Sequence, residues 1–226
     1  MSKTTVILKW AQTNDGFLDH NDNKPLRISS PEDKASVAKL RSQCELILVG
    51  ASTVRRDDPV LKLSKSFSAK NPPLDRAALT SSAEMDSSAR IFDNDGARRI
   101  IFATEKIDNV SRFTKNGVEI ITINPENPAK DVLNWCIDQN INTVLVEGGS
   151  RVHRTFFESN VVDLVRIATG NFTAGTNGTT RSINFADFEG SFSKMHSASL
   201  GGTEVVWWRN QSFSETEAIQ LTDLQS

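Results

Sequence analysis

Short apolar runs alternate along the chain with polar, amphipathic stretches, and this pattern predicts most of its elements. Val6-Ile7-Leu8-Lys9-Trp10-Ala11 has the β-branched, mostly apolar make-up of a buried strand and ends in the turn-forming Asn14-Asp15-Gly16. Ser29-Ser30-Pro31-Glu32-Asp33 reads as a helix start. A serine can cap the free N–H groups, proline suits the first helical position, and acids favour the positive helix end. Val37, Leu40 and Cys44 then recur at helical spacing, and Leu46-Ile47-Leu48-Val49-Gly50 follows as a second buried strand. Residues 62–76, rich in Lys, Ser, Pro and Asn, read as a loop. Two more strands are expected at Arg99 to Ala103 and Val118 to Ile123. Asn127-Pro128 opens a helix with Val132, Leu133, Cys136 and Ile137 on one face. Thr143-Val144-Leu145-Val146 is a strand broken by Gly148-Gly149, after which Val152, Phe156 and Phe157 mark another helix. Val161 to Ala168 and Gly202 to Trp208 read as strands with little helix between them.

Alternating strands and helices followed by terminal strands predict an α/β fold. The expected sheet is mixed and mainly parallel, flanked by helices, with antiparallel strands at the C-terminal end. No internal repeat or linker interrupts the pattern, so residues 1–210 are expected to form one domain and 211–226 a polar tail.

With 38% hydrophobic and 24% charged residues among 226, the composition is that of an ordinary globular protein. Lys plus Arg is 26 and Asp plus Glu is 28, a formal charge of −2, so there is no general pull on nucleic acid or an anionic membrane. A phosphate-bearing ligand therefore needs a local site. No segment reaches the ~18 apolar residues of a membrane span. Met1 to Thr5 leads into a strand without a signal-peptide apolar region, so a cytoplasmic chain is expected. Cys44 and Cys136 read as buried free thiols in a reducing compartment. The histidines His20, His153 and His196 have no metal-ligand spacing, so no metal is expected. The G-x-G-x-x-G fingerprint is absent. Gly170 and Gly175 have phosphate-loop spacing, but Thr176 stands where that loop needs lysine. The zinc-deaminase and G-x-S-x-G signatures are absent as well.

Four segments concentrate polar groups near predicted strand ends, where open α/β sheets hold ligands. Lys9 is costly in an apolar strand unless it is paired, faces a cleft, or reaches solvent from an edge. Gly50 to Pro59 offers small residues for close approach, the Thr53 hydroxyl and the acids Asp57 and Asp58, and it reads equally as a helix cap and turn. Thr80-Ser81-Ser82 is a hydroxyl cluster after a short apolar run. In Glu147-Gly148-Gly149-Ser150-Arg151, two glycines between strand and helix expose N–H groups at the positive helix end, a natural diphosphate seat. Arg151 either adds charge there or stays solvated. Glu147 suits a polar substrate better than it suits packing.

In this order and at these separations, the four segments resemble the reductase domain of bacterial RibD. That family includes the stand-alone pyrimidine reductases of riboflavin biosynthesis, on a dihydrofolate-reductase-like fold. The likeness spans roughly residues 5 to 209. Its most specific pieces are Thr53…Asp57-Asp58-Pro59…Leu61 and Val146-Glu147-Gly148-Gly149, and Asp75 to Ser82 looks like stand-alone actinobacterial-type members. The resemblance implies NADPH-dependent reduction of a ribosylamino-pyrimidine 5′-phosphate to its ribitylamino form, with hydride delivered to the sugar C1′. It assigns Lys9 and Glu147 to catalysis at C1′, and Arg41 and Leu61 to the substrate. Ala11, Thr53, Asp57, Ser81 and the Gly148-Gly149-Ser150-Arg151 turn would meet the cofactor. It also implies a homodimer.

Some positions depart from the family pattern. The Ser-Leu-Asp-Gly turn is Thr13-Asn14-Asp15-Gly16 here. Arg27 replaces a tryptophan often found before Ile28-Ser29, so cofactor stacking there changes from aromatic to guanidinium. Ser64 stands where bifunctional members place a phosphate-binding arginine. Lys62, Lys65 or Arg76 is expected to supply that charge, unless the true substrate lacks the phosphate. Arg55, Arg56 and Ser81 are the candidates for a cofactor 2′-phosphate. A related reductase for another pterin-, folate- or pyrimidine-like compound, and a non-catalytic ligand-binding homologue, are the alternatives.

Overall fold

Alternation of apolar residues on two faces builds the centre of the molecule. The computed structural model describes residues 4–21, 26–68, 71–82, 84–181, 183–184 and 189–214. Its strands are β1 (Thr5–Gln12), β2 (Phe17–His20), β3 (Leu46–Gly50), β4 (Asp75–Thr80), β5 (Arg99–Ala103), β6 (Glu119–Thr122), β7 (Thr143–Gly148), β8 (Leu164–Thr169), β9 (Gly178–Arg181), β10 (Phe192–Leu200) and β11 (Thr203–Asn210). The helices are α1 (Pro31–Arg41), α2 (Ala51–Asp57), α3 (Lys65–Ser68), α4 (Ser111–Thr114), α5 (Pro128–Asp138) and α6 (Ser150–Glu158).

A nine-stranded sheet runs in the order β10-β11-β8-β1-β7-β3-β4-β5-β6. From β8 to β6 every neighbouring pair is parallel. β11 joins β8 antiparallel, and β10 joins β11 antiparallel. β2 and β9 form a separate antiparallel ribbon. One sheet face, carrying Ile7, Ile47, Ile101 and Leu145, packs with Leu40 of α1, Val54 of α2 and Phe113 of α4. The other, carrying Leu8, Leu48, Phe102 and Val146, packs with Val132 and Cys136 of α5 and Val152 and Phe156 of α6. The fold is therefore α/β with helices on both faces, as the pattern predicts. Both cysteines are free and buried. Among the described residues no helix is long and apolar enough to cross a membrane.

Several expectations need correction. The loop read across 62–76 holds α3 and the first two residues of β4. Arg76 makes that start look polar, but its guanidinium is neutralised inside the fold by Asp95. β2, β9 and β10 were not expected; they are polar segments whose backbone pairing, rather than an apolar pattern, makes them strands. The C-terminal part of the sheet begins at Leu164 rather than Val161, because Asp163 turns its carboxylate back to accept the Val6 N–H at 3.0 Å. Ile137 is 36% exposed; Ala129, Val132 and Cys136 form the buried face of α5. Packing also continues past Asn210. Phe213 is buried, and its carbonyl accepts from Arg209 at 2.6 Å. The rest of the expected tail, 215–226, lies outside the described residues.

The connections leave the sheet in opposite directions at its centre. β3 and β7 are neighbours, yet α2 follows β3 onto one face and α6 follows β7 onto the other. Such a switch point opens a crevice beyond the carboxyl ends of the strands.

Candidate active site

That crevice is a cleft of about 490 Å³. Ser52, Thr53 and Asp57 of α2 form one wall, and Ser150, Arg151 and His153 of α6 form another. Trp10 and Ala11 of β1 and Glu147-Gly148 of β7 close its base, while Leu18, Asp19 and Thr180 of the ribbon lie at its mouth. An ion pair between Arg56 of α2 and Asp19 of the ribbon, 2.6 Å, links two of these walls.

Glycine sets how closely the walls approach. A Cβ at Gly50 would stand 2.9 Å from the Val152 side chain, and one at Gly148 would stand 3.1 Å from the Thr53 hydroxyl. Gly149 has φ +87°, a conformation side-chain-bearing residues rarely adopt. It is also the N-cap of α6, with no side-chain cap bond and no acid in the first turn. The first N–H groups of that helix are thus left for an anion, in a field that favours one.

Beside the turn lies a buried charge cluster. The Glu147 side chain is 6% exposed, and its two oxygens accept from Arg41 Nε and Nη2 at 2.6 and 2.7 Å. Lys9 Nζ lies 3.9 Å from the same carboxylate. Arg41 reaches it from the end of α1, and Lys9 lies in the neighbouring strand. Arg166, opposite Lys9 in the β1–β8 register, is fully buried and pairs with buried Asp33 at 2.5 Å. Burial alone would raise the Glu147 pKa, but Arg41 and Lys9 outweigh it and hold the group at about 2. Burial pulls Lys9 below the usual lysine range; Glu147 opposes this, and Arg41 and Arg166 reinforce it. With Lys9 protonated, three cations face the two carboxylates of Glu147 and Asp33. Lys9 is the group in this cluster whose proton is easiest to move.

His153 lies on the α6 side, 1% exposed, with its ring centroid 5.4 Å from that of Trp10. Neither ring nitrogen has a partner in normal hydrogen-bond geometry, although the Val146 and Lys9 carbonyls come close. Burial, helped by Lys9, holds the imidazole neutral with a pKa of about 4.

The structure brings Ala11, Thr53, Asp57, Glu147, Gly148, Gly149, Ser150 and Arg151 together around one cleft, with Lys9 and Arg41 behind Glu147. The half-buried Asp57 carboxyl is raised by burial, against the pull of Arg56. Other expected residues lie elsewhere. Arg27 is exposed, one position past the wall residue Leu26, and Ser81 is exposed where β4 ends. Leu61 is buried in the core and is not among the residues lining this cleft. The three cations expected for a phosphate do not line the cleft. Lys62 pairs with Asp93 at 3.1 Å, Lys65 is exposed on α3, and Arg76 is fully buried against Asp95 at 2.8 Å. Sequence reasoning missed Trp10, Asp19, His153 and Arg166. Arg166 carried the same signal as Lys9, a cation inside an apolar strand. His153 shares the helical spacing of Val152, Phe156 and Phe157.

Among the described residues no cluster of His, Cys, Asp and Glu is arranged to hold a metal. The family model of the RibD C-terminal domain matches residues 4–206. The riboflavin biosynthesis protein RibD of Aquifex aeolicus is 28% identical over 71% of this chain, which spans 44% of that protein. The 2,5-diamino-6-ribosylamino-4(3H)-pyrimidinone 5′-phosphate reductase of Archaeoglobus fulgidus is 29% identical over 73% of this chain and 79% of that protein. A pyrimidine reductase-like protein of Corynebacterium diphtheriae superimposes with a TM-score of 0.75 at 16% identity, covering 92% of each chain. Dihydrofolate reductase of Enterococcus faecalis, complexed with NADP(H), gives 0.53 at 11% identity over 92% of this chain and 97% of that one. These two likenesses show the fold, which is dihydrofolate-reductase-like. By its sequence across nearly its whole length, the chain belongs to the RibD C-terminal domain family.

Proposed function

We propose that the cleft reduces a ribosylamino-pyrimidine 5′-phosphate to its ribitylamino form in riboflavin biosynthesis, with NADPH as reductant. The observation that carries this reading is the juxtaposition of an uncapped, glycine-led helix start with the buried Lys9–Glu147–Arg41 cluster. Close approach at Gly148, where a Cβ would meet Thr53, and the free first turn of α6 suit a dinucleotide diphosphate. When bound, the nicotinamide supplies the hydride for the sugar C1′.

The chain's own residues do the rest. Thr53 and Ser150 offer hydroxyls to the cofactor, and Arg55, Arg56 and Arg151 offer positive charge along the same cleft. Glu147, ionised at about 2 and held by Arg41, accepts hydrogen bonds from ribose hydroxyls. Lys9 donates a proton to the ribose ring oxygen as the ring opens to the protonated imine, whose nitrogen keeps its own hydrogen. Trp10 and the neutral His153 put a pair of uncharged rings against one side of the cleft. A homodimer remains the expected assembly and is checked by light scattering in solution.

Purified protein should oxidise NADPH in the presence of the ribosylamino-pyrimidine phosphate. Glu147→Gln should lower kcat about a thousandfold while cofactor affinity changes little. Wild-type protein that neither binds nor oxidises NADPH with this substrate overturns the reading. One observation favours a second reading: Lys62, Lys65 and Arg76 all lie away from the cleft. A substrate without the phosphate then fits, and kcat/KM for the dephosphorylated compound should match or exceed that for the phosphate ester.

A further inference from the structure

Arg76, Arg98 and Arg99 stand at the amino end of the sheet, and they are not equally satisfied. Arg76 donates to both Asp95 oxygens at 2.8 Å and to the Asp93 carbonyl at 2.7 Å. Arg98 donates to both Glu119 oxygens at 2.8 Å. Arg99 lies opposite Arg76 in the β4–β5 register and is only 8% exposed. Among the described residues it has no carboxylate partner. Its terminal nitrogens donate only to the carbonyls of Phe92 and Gly117, at 3.2 and 3.4 Å, and its Nε, like that of Arg76, has no partner. A guanidinium carries five donors, and burying its charge without a counter-charge is costly. Among the described residues no such counter-charge is paired to Arg99.

Arg99 lines an open cavity of about 700 Å³, shared with Lys115, Asn94, Asn116 and Ser87. Asp93 also lies on the rim, with its carboxylate bound to Lys62 at 3.1 Å. Gly117 keeps space beside the guanidinium: it has φ +72°, and a Cβ there would stand 3.1 Å from Arg99 Nη2. Arg99 begins β5, whereas the cleft gathers where β3 and β7 end, so the two cavities lie at opposite ends of the sheet.

We propose that this cavity is a second ligand site, one that binds a phosphate group as the free ion or as the monoester of a small metabolite. Two cations match a dianion, amide and hydroxyl donors match its tetrahedral oxygens, and the cavity has room for more than the phosphoryl group. The cost of burying Arg99 is then offset when the ligand is bound, and the site owes nothing to the reductase reading of the cleft.

The test is a titration of the ¹⁵N-labelled full chain with inorganic phosphate and, separately, with ribose 5-phosphate, at ionic strength matched by chloride. Saturable shifts of the Asn116 and Gly117 amides are expected. Arg99→Met should weaken binding by about tenfold or more, and the exposed Lys115→Ala by a few-fold. Lys115→Ala keeps the proposal testable if Arg99→Met does not fold. Tighter binding of ribose 5-phosphate assigns the site to a phosphate ester, and equal binding assigns it to the phosphoryl group alone. No saturable shift at Asn116 or Gly117 with either probe, shifts confined to Gly148 and Gly149, or unchanged affinity in a folded variant would overturn the proposal.

Discussion

Helices α1 and α6 start at the same end of the sheet and are built in opposite ways. At α1 the chain satisfies itself. The Ser30 hydroxyl accepts the Asp33 N–H at 3.0 Å and donates to the Leu200 carbonyl at 2.7 Å, and the Ser30 N–H reaches Thr203 Oγ1 at 3.0 Å. Pro31 removes one orphan donor, and Glu32 and Asp33 face the positive end of the helix. At α6, Gly149 offers no cap, and no acid follows in the first turn. The backbone dipoles are alike in kind. The difference is whether the chain answers them or leaves them to a ligand: the sealed start turns Asp33 inward to Arg166, and the open start follows Glu147 directly and lines the cleft.

Giving α6 the acidic start of α1 should separate stability from binding. Ser150→Asp is expected to stabilise the fold by about 0.3–1 kcal/mol through the helix dipole. The same carboxylate would lie against the cofactor diphosphate, and like charges at that range cost several kcal/mol, so NADPH affinity should fall at least about a hundredfold. Thermal melts and fluorescence titration read the two effects. Unchanged affinity in the stabilised variant would mean that the start of α6 is not the diphosphate seat.

The buried faces of the two helices differ as well, and this should appear as pH dependence. α1 buries Asp33 with Arg166 as its ion-pair partner, whereas α6 buries His153 with only the Val146 and Lys9 carbonyls close to its ring nitrogens. His153 is held at about 4 against an ordinary 6.5. Between those values the unfolded chain binds a proton that the folded chain refuses, so stability is lost as pH falls through that window. The Glu147 carboxylate, at about 2 against an ordinary 4.5, stabilises the fold above pH 4.5, and its contribution is lost from there down to about 2. Acid destabilisation should therefore begin near pH 6.5, well above the carboxylate range. Urea unfolding across pH should show about 2 kcal/mol lost between pH 6.5 and 4.5 in the wild type. His153→Phe should remove that slope and leave the loss below 4.5. A slope unaltered by the substitution would place the titrating group elsewhere.

The sealed start of α1 was legible in the sequence because capping is local: Ser30, Pro31 and two acids stand within four positions. The open start was legible for the opposite reason, since Glu147-Gly148-Gly149 interrupts an apolar strand. Lys9 stood out in the same way. What stayed hidden depends on partners far along the chain. Arg76 looked available for a phosphate because Asp95, which neutralises it, lies 19 residues away. The Arg166–Asp33 pair is separated by 133 residues. β10 spaces Phe192, Met195, Ala198 and Leu200 without strand alternation among serine, lysine and histidine, and its antiparallel pairing with β11 makes it a strand. Local chemistry announces a site, and distant pairing decides which charges are free to serve it.

The smallest effect is the most direct comparison of the two starts, a serine-to-alanine change at each. Ser30→Ala deletes the acceptor for the Asp33 N–H and the donor to Leu200, so it should cost about 1 kcal/mol and lower Tm by a few degrees. Ser150 follows the cap instead of being it, and alanine is the better helix former at such a position. Ser150→Ala should therefore leave stability within about 0.5 kcal/mol of wild type, or raise it slightly. Equal losses at the two positions would mean that Ser150 closes α6 in the absence of ligand. The free N–H groups would then have a partner within the chain, and the anion would have to displace it. Unequal losses, with Ser30 the larger, leave the start of α6 as the place where the fold is completed by what it binds.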